Sequence, residues 1–246
     1  RTGEVAYWVD GVATTDMFSG GMGVNVENSA VEELQVVSGT FNAEYGQAMS
    51  GIINIITKEG SNDFTGKVEA YVGDYMSTAN EFAILERVNT MTDPTTGQTL
   101  TEGVYENPLE QFNPIYNAQA SISGPIISDK LSFFANARFL SDNGYLYGRE
   151  WFTPQGIPGD SSLVSMNPYQ RMSAQAKLTW RMTPSIKVNY NVFWNEWQNE
   201  YTWNKNYKYV PDSQPEQHGS GLTHILTMNH VLSQKTFYEL RLNHLN

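Results

Sequence analysis

The chain has 246 residues, contains no cysteine, and carries 26 Asp+Glu against 15 Lys+Arg, a formal net charge of −11. That composition excludes a disulfide scaffold, a zinc–cysteine centre and a thiol nucleophile, and the negative surplus argues against a nucleic-acid partner. No stretch reaches the roughly 18 uninterrupted apolar residues of a membrane-spanning helix. The mean hydropathy of −0.43 does not speak against membrane strands, because such a strand exposes only every second residue to lipid.

Residues 1–62 are rich in glycine and small residues, with short β-type runs (VAYWVDGV, ELQVV, GIINIIT) separated by turns. No signal peptide opens the chain and strand-like sequence follows Arg1 at once, so the natural N-terminus is expected to lie upstream. From Phe64 onward apolar and polar residues alternate with period two, which places a domain boundary at 62/63. Seven strands are expected, at 64–76, 115–125, 131–139, 171–182, 186–194, 222–232 and 236–246, each near the 9–11 residues of a tilted membrane strand.

Segment 171–182 shows the alternation most clearly: Met172, Ala174, Ala176, Leu178, Trp180 and Met182 share one face, and Arg171, Ser173, Gln175, Lys177, Thr179 and Arg181 the other. In 131–139 and 186–194 the same code is broken by Phe134 and Phe193, which fall on the polar face. Short links (ISDK, TPS, SQK) alternate with long ones at 77–113, 143–168 and 201–220. Tight periplasmic turns and extended outer loops produce such an alternation in an outer-membrane barrel, whereas a soluble sandwich has no reason to. Aromatics are expected to form two girdles, Tyr75, Tyr116, Tyr169, Trp194 and Trp197 at the outer boundary and Phe64, Trp180 and Tyr238 at the inner one.

Signs of chemistry are few. His224 and His230 share a face of one strand but stand some 20 Å apart at about 3.3 Å per residue, too far to share a metal; His218 and His244 have no evident ligand-type partner. No serine-hydrolase elbow, HExxH, Walker or EF-hand pattern occurs, so neither an enzyme nor a cofactor or metal site is expected. Ligand contacts are sought instead in the loop aromatics Tyr145, Tyr147, Trp151, Trp203, Tyr207 and Tyr209, and in Asp16 and Phe18 of a Gly-rich loop. The bland alternative is that these aromatics hold the loops to one another. The first long loop carries Glu81, Glu86, Asp93, Glu102, Glu106 and Glu110 against Arg87. It reads as a solvated face, with divalent-cation binding as a weaker alternative.

The stretch ENSAVEELQVVSGTFNAEYGQAMSGIINIITKEG at 27–60 resembles the C-terminal half of the plug domain of TonB-dependent receptors. The likeness is carried by an acidic strand with Glu32 and Glu33, then Gly39, a Tyr45–Gly46 turn, Gly51, and the strand ending in Asn54, Thr57 and Lys58. Upstream, Asp10, Gly11 and Val12 match the family's "VDGV" strand. Gly46 and Gly51 suit a sharp turn or a close backbone approach. Ser50 stands where the family often has a second glycine, and the "GP" after the acidic strand is missing, a pattern more similar to the Oar-like receptors with a carboxypeptidase-regulatory-like N-terminal domain.

This resemblance implies a mainly β fold, a partial plug domain (1–62) followed by part of a large antiparallel transmembrane β-barrel (63–246). It implies energised import of an extracellular ligand (a glycan, peptide or metal chelate) across the outer membrane of a Gram-negative-type bacterium. The implied partners are outer-membrane lipid, the TonB complex acting through an N-terminal segment, the remaining barrel strands, and a surface lipoprotein. Seven strands cannot close a barrel of about 22, and open sheet edges in hydrocarbon would leave backbone groups unpaired, so further chain is expected to complete the wall. Two other readings stay open: a non-transporting surface receptor or adhesin, and a soluble carbohydrate-binding β-domain.

Overall fold

The computed structural model describes residues 5–16, 20–37, 51–200 and 205–245. Two sheets dominate it. The first has four strands in the order β2-β1-β4-β3, with β1 Val5–Val9, β2 Val12–Ala13, β3 Val31–Val37 and β4 Gly51–Thr57. β1 and β2 form a hairpin whose two turn residues, Asp10 (φ 49°) and Gly11 (φ 76°), both lie in the left-handed region. A two-residue turn matching the strand twist demands that geometry, and an Asp-Gly pair tolerates it. β4, GIINIIT, is apolar on both faces apart from Asn54 and the terminal Thr57 because it lies between two neighbours, parallel to β1 and antiparallel to β3.

The second sheet is a seven-stranded antiparallel wall, in the order β5-β8-β9-β12-β13-β14-β15. Its strands are β5 Thr65–Gly73, β8 Ile115–Ile127, β9 Leu131–Asp142, β12 Tyr169–Thr183, β13 Ile186–Glu200, β14 Glu216–Ser233 and β15 Thr236–Leu245. All seven expected strands are present, several extended at their ends. β14 begins at Glu216 rather than 222, which shortens the third long loop. The long loops are also more ordered than their sequence suggested. The first holds the hairpin β6 Ile84–Thr92 with β7 Thr99–Glu106, and the second holds β10 Tyr147–Arg149 with β11 Leu163–Ser165.

Burial in the wall is inverted relative to a soluble sheet. On β12 the polar residues Gln175, Lys177 and Thr179 are 5%, 2% and 0% exposed, while the apolar Met172, Trp180 and Met182 are 49%, 46% and 45% exposed. A soluble sandwich would bury the apolar face instead. The polar face is covered because the four-stranded sheet sits against it. The pattern-breaking Phe134 and Phe193, together with Ile225, join Val9, Val12, Val24, Val26, Ala30 and Ile55 in one apolar cluster. The misfit aromatics of the polar face are therefore the wall's share of a joint core.

The same register corrects the outer girdle. Tyr116 and Trp194 fall on the apolar outward face, but Tyr169 and Trp197 have the parity of Arg171 and point to the lumen side. Tyr75 turns into loop contacts, with its ring 5.4 Å from Tyr145 and its hydroxyl donating to Asp142 (3.2 Å). A one-residue shift along a strand exchanges faces, so height alone does not select a girdle. The inner set holds together on the outward face, where Trp180 and Tyr238 are exposed and Phe64 meets Phe133 edge-on at 6.4 Å. His244 also gains a neighbour: it pairs directly with His224 across β14 and β15, their rings 6.4 Å apart, and the Tyr190 hydroxyl lies 2.8 Å from His224 Nδ1.

Candidate functional site

The most organised polar chemistry lies where the four-stranded sheet seats on the wall. Seven of the chain's 15 basic residues, Lys67, Arg138, Arg171, Lys177, Arg181, Lys187 and Arg241, have lumen-side parity on the wall. Carboxylates of the first sheet and its flanking loops meet five of them.

The innermost contact is built on the Asp-Gly turn. Asp10 accepts hydrogen bonds from Thr57 N (2.9 Å), Thr57 Oγ1 (2.7 Å), Asn191 Nδ2 (3.0 Å) and Lys177 Nζ (3.2 Å). Lys177 also donates to the backbone oxygen and hydroxyl of Thr57 (3.1 and 3.0 Å). Its side chain is 2% exposed and that of Asp10 11%. In so dry a place each charge depends on the other, because an unpaired buried charge costs several kcal/mol.

Glu27 makes the second contact, accepting from Arg138 (2.8 Å), Arg171 (2.7 Å) and Ser173 (2.7 Å). Burial works to raise its carboxyl pKa, but the hydrogen bonds from Arg138 and Ser173 and the charges of Arg171 and Arg138 outweigh it, holding the group below its ordinary value. Glu59 makes the third, between Lys187 (2.7 Å) and Arg181 (3.9 Å). Neutral contacts fill the gaps: Asn136 Nδ2 donates to Ser29 Oγ (2.7 Å), Arg241 to Gly11 O (3.0 Å), Asn243 to Ala13 O (3.1 Å), and Ser132 to Gly60 O (3.1 Å).

The motif residues divide. Asp10, Gly11 and Thr57 touch the wall directly and Val12 enters the joint core, whereas Lys58 turns back to Ser29 O (2.9 Å). Glu32 and Glu33 are exposed, and Asn54 bonds Gln35 (3.2 Å) within the sheet. Gly51 is not required by space, since a Cβ there meets nothing nearer than 3.6 Å; a close approach to the wall does demand Gly60, where a Cβ would stand 2.4 Å from Phe133 N. Gly39, Tyr45 and Gly46 lie outside the described residues. Sequence reading missed Glu27, Glu59 and every basic partner. The available signal was the set of cations on the polar faces of 131–139, 171–182 and 186–194.

The loops above the wall are tied together. Arg149, 6% exposed, pairs with Glu106 of the first loop and donates to Ser161 O (2.7 Å). Backbone bonds from Arg149 N to Lys208 O (2.8 Å) and from Phe152 N to Tyr209 O (3.1 Å) join the second loop to the third. Of the aromatic candidates, Trp151 lies against Tyr209 with ring centroids 5.0 Å apart, and Tyr145 meets Tyr75 edge-on. Tyr147 is half-buried, and burial with the nearby Asp74 and Asp142 raises its hydroxyl pKa. Tyr207 ends a short 3-10 turn, and Asp16 closes a loop through backbone bonds with Gly20 and Gly21 (both 2.9 Å). Phe18 and Trp203 lie outside the described residues. In the acidic first loop Asp93 caps a turn through Thr95 and Thr96. Among the described residues no group of three or more His, Asp or Glu could hold a metal ion.

No protein-family model matches the chain. Its sequence is 29% identical over 132 residues to the TonB-dependent transporter Oar of Myxococcus xanthus, covering 54% of this chain and 11% of that protein. The fold is similar to the outer membrane transporter YddB from Escherichia coli (TM-score 0.64, 14% identity), covering 98% of this chain and 31% of that one. It is also similar to the siderophore receptor PirA from Pseudomonas aeruginosa (TM-score 0.55, 17% identity), covering 98% and 33%. The chain therefore spans about a tenth of the curated relative and a third of these structures. Over its matched half the chain is thus similar in sequence to a TonB-dependent transporter, and its fold, a four-stranded sheet seated on a seven-stranded antiparallel wall, is similar to part of the fold of outer-membrane transporters and receptors.

Proposed function

We propose that this chain is the plug-to-barrel portion of an outer-membrane receptor that binds a glycan, peptide or metal chelate from outside. Import then draws on energy delivered by the inner-membrane TonB complex. Residues 1–62 form the plug part and 63–246 the barrel part. Asp10, Gly11, Val12, Gly51, Thr57 and Lys58 shape or seat the plug, with the exposed Glu32, Glu33 and Asn54 beside them; Gly39, Tyr45 and Gly46 belong to the same motif. Asp16 and Phe18 of the plug, with Tyr145, Tyr147, Trp151, Trp203, Tyr207 and Tyr209 of the loops, supply the ligand surface.

The observation that supports this reading best is the inverted wall: apolar side chains outward, polar ones covered by a separate sheet held through charged contacts. An apolar exterior suits a bilayer, and a polar, electrostatically held filling suits a plug that must move. The test is ligand uptake by cells carrying the full-length gene, with and without a functional TonB complex. Accumulation that stops without TonB, while surface binding persists, is the expected result. Uptake indifferent to TonB, or recovery of the full-length protein in the soluble fraction, would overturn the reading.

A further inference from the structure

The plug does not meet the described wall evenly. Against β9 and β12 to β15 it is fastened by buried ion pairs, by the joint apolar cluster and by neutral hydrogen bonds. Toward β5 and β8 the surfaces part around a cavity of about 530 Å³, with Asn28 and Glu32 on the plug side and Lys67, Glu69, Gln119 and Ser121 on the wall side. The groups that face each other across it, Lys58 on the plug side and Lys67, Glu69 and Gln119 on the wall side, find partners on their own side. Lys67 pairs with Glu69 (2.7 Å) and Gln119 donates to Glu69 (2.7 Å), both within the wall, and Lys58 donates to Ser29 O within the plug. Bonds cross at the cavity's margins: Ser61 with Ser123 (3.2 Å) from the linking segment, and, toward the seated side, Ser29 with Asn136 (2.7 Å) and Glu59 with Lys187 (2.7 Å).

The energetics of separation follow. Pulling the plug from β12 separates Lys177 from Asp10 and Arg171 from Glu27, and pulling it from β9 and β12 together leaves Glu27 with no cation. Parting it from β5 and β8 strands none of Lys58, Lys67 and Glu69, because each keeps its partner on its own side. We propose that, under the pull assumed in the import reading on which this inference rests, the plug parts from the wall first along β5 and β8. The cavity there is then the hydrated path of the solute. Among its lining groups Lys58 and Lys67 offset two carboxylates, and Glu59 is neutralised by Lys187 outside it. A lining so nearly balanced suits a hydrophilic solute that is neutral or zwitterionic and does not select an anion.

The test uses full-length receptor in cells, with the cysteine pair Glu32→Cys and Gln119→Cys joined across the cavity by a flexible bismaleimide. A pair on the seated side, Ala13→Cys and Asn243→Cys, both exposed and away from the cavity, serves as comparison. Each bridged protein is measured against its own unbridged form. Bridging the cavity is expected to cut uptake at least tenfold with surface binding unchanged, and bridging the seated side to change uptake less than twofold. Equal blockage by both bridges, or transport through a bridged cavity, would overturn the proposal. A second readout needs no transport: Ser121→Cys should react with a small membrane-impermeant maleimide at least tenfold faster than Asn136→Cys. Equal rates at the two positions would overturn the hydrated gap, whereas loss of TonB-dependent uptake in every unbridged protein would overturn the import reading instead.

Discussion

Asp10→Ala should loosen the plug more than any other single truncation in the seat. It removes four hydrogen-bond acceptor contacts, to Thr57 N, Thr57 Oγ1, Asn191 and Lys177. Lys177 is left with only Thr57 around an ammonium group whose side chain is 2% exposed. Breaking one partner of a buried ion pair costs about 3–5 kcal/mol, a factor of roughly 10² to 10³·⁵ in the seating equilibrium. Lys177→Met removes the buried charge and leaves Asp10 its bonds from Thr57 and Asn191, so it should cost less, about 1–3 kcal/mol. The double variant should cost at least about 2 kcal/mol less than the sum, because the second change removes the group that the first one stranded. The assay is urea unfolding of the full-length receptor in detergent, with plug release followed by a fluorophore at the exposed Gln35. A loss under about 1 kcal/mol for Asp10→Ala, or additive losses in the double variant, would refute the reasoning.

Three further outcomes follow from single contacts. Because Glu27 is held below its ordinary carboxyl pKa, its stabilisation is complete above the unfolded value of about 4.3 and is lost as pH falls through the lower folded value. The urea midpoint should drop in that acid window, and Glu27→Gln should flatten the dependence there. Gly60→Ala places a methyl 2.4 Å from Phe133 N and 2.6 Å from Phe133 O, both main-chain atoms. Relief requires the backbone to shift at a cost of about 1–3 kcal/mol, read as a lower yield of heat-resistant folded barrel. Arg149→Met removes the tie between Glu106 and Ser161 O, so amide exchange in 84–106 should quicken while exchange in β12 and β13 stays the same.

The strands were legible because alternation is a local property: each residue two positions on returns to the same face. The long-short rhythm of connections was equally local. Phe134 and Phe193 looked like blemishes for the same reason, since period two says what a face is made of but not what lies against it. Their place in a core with Val9 and Ile55 depends on a second sheet arriving from elsewhere in the chain. The loop aromatics were visible as candidates, yet the pairing of Trp151 with Tyr209, or of Tyr145 with Tyr75, could not be read from a list of loop residues.

The sequence by itself determined a two-faced antiparallel wall, a glycine-rich first region with a plug-like motif, and the Asp-Gly turn of β1 and β2. Each of these is written in residues a few positions apart. Only the tertiary structure decided which groups close the seat, because Asp10 and Lys177 are 167 residues apart and Glu27 and Ser173 are 146 apart. An isolated cation on a polar strand face suggests a lumen. Burial beside one particular carboxylate turns it into a fastening, and no local pattern encodes that proximity.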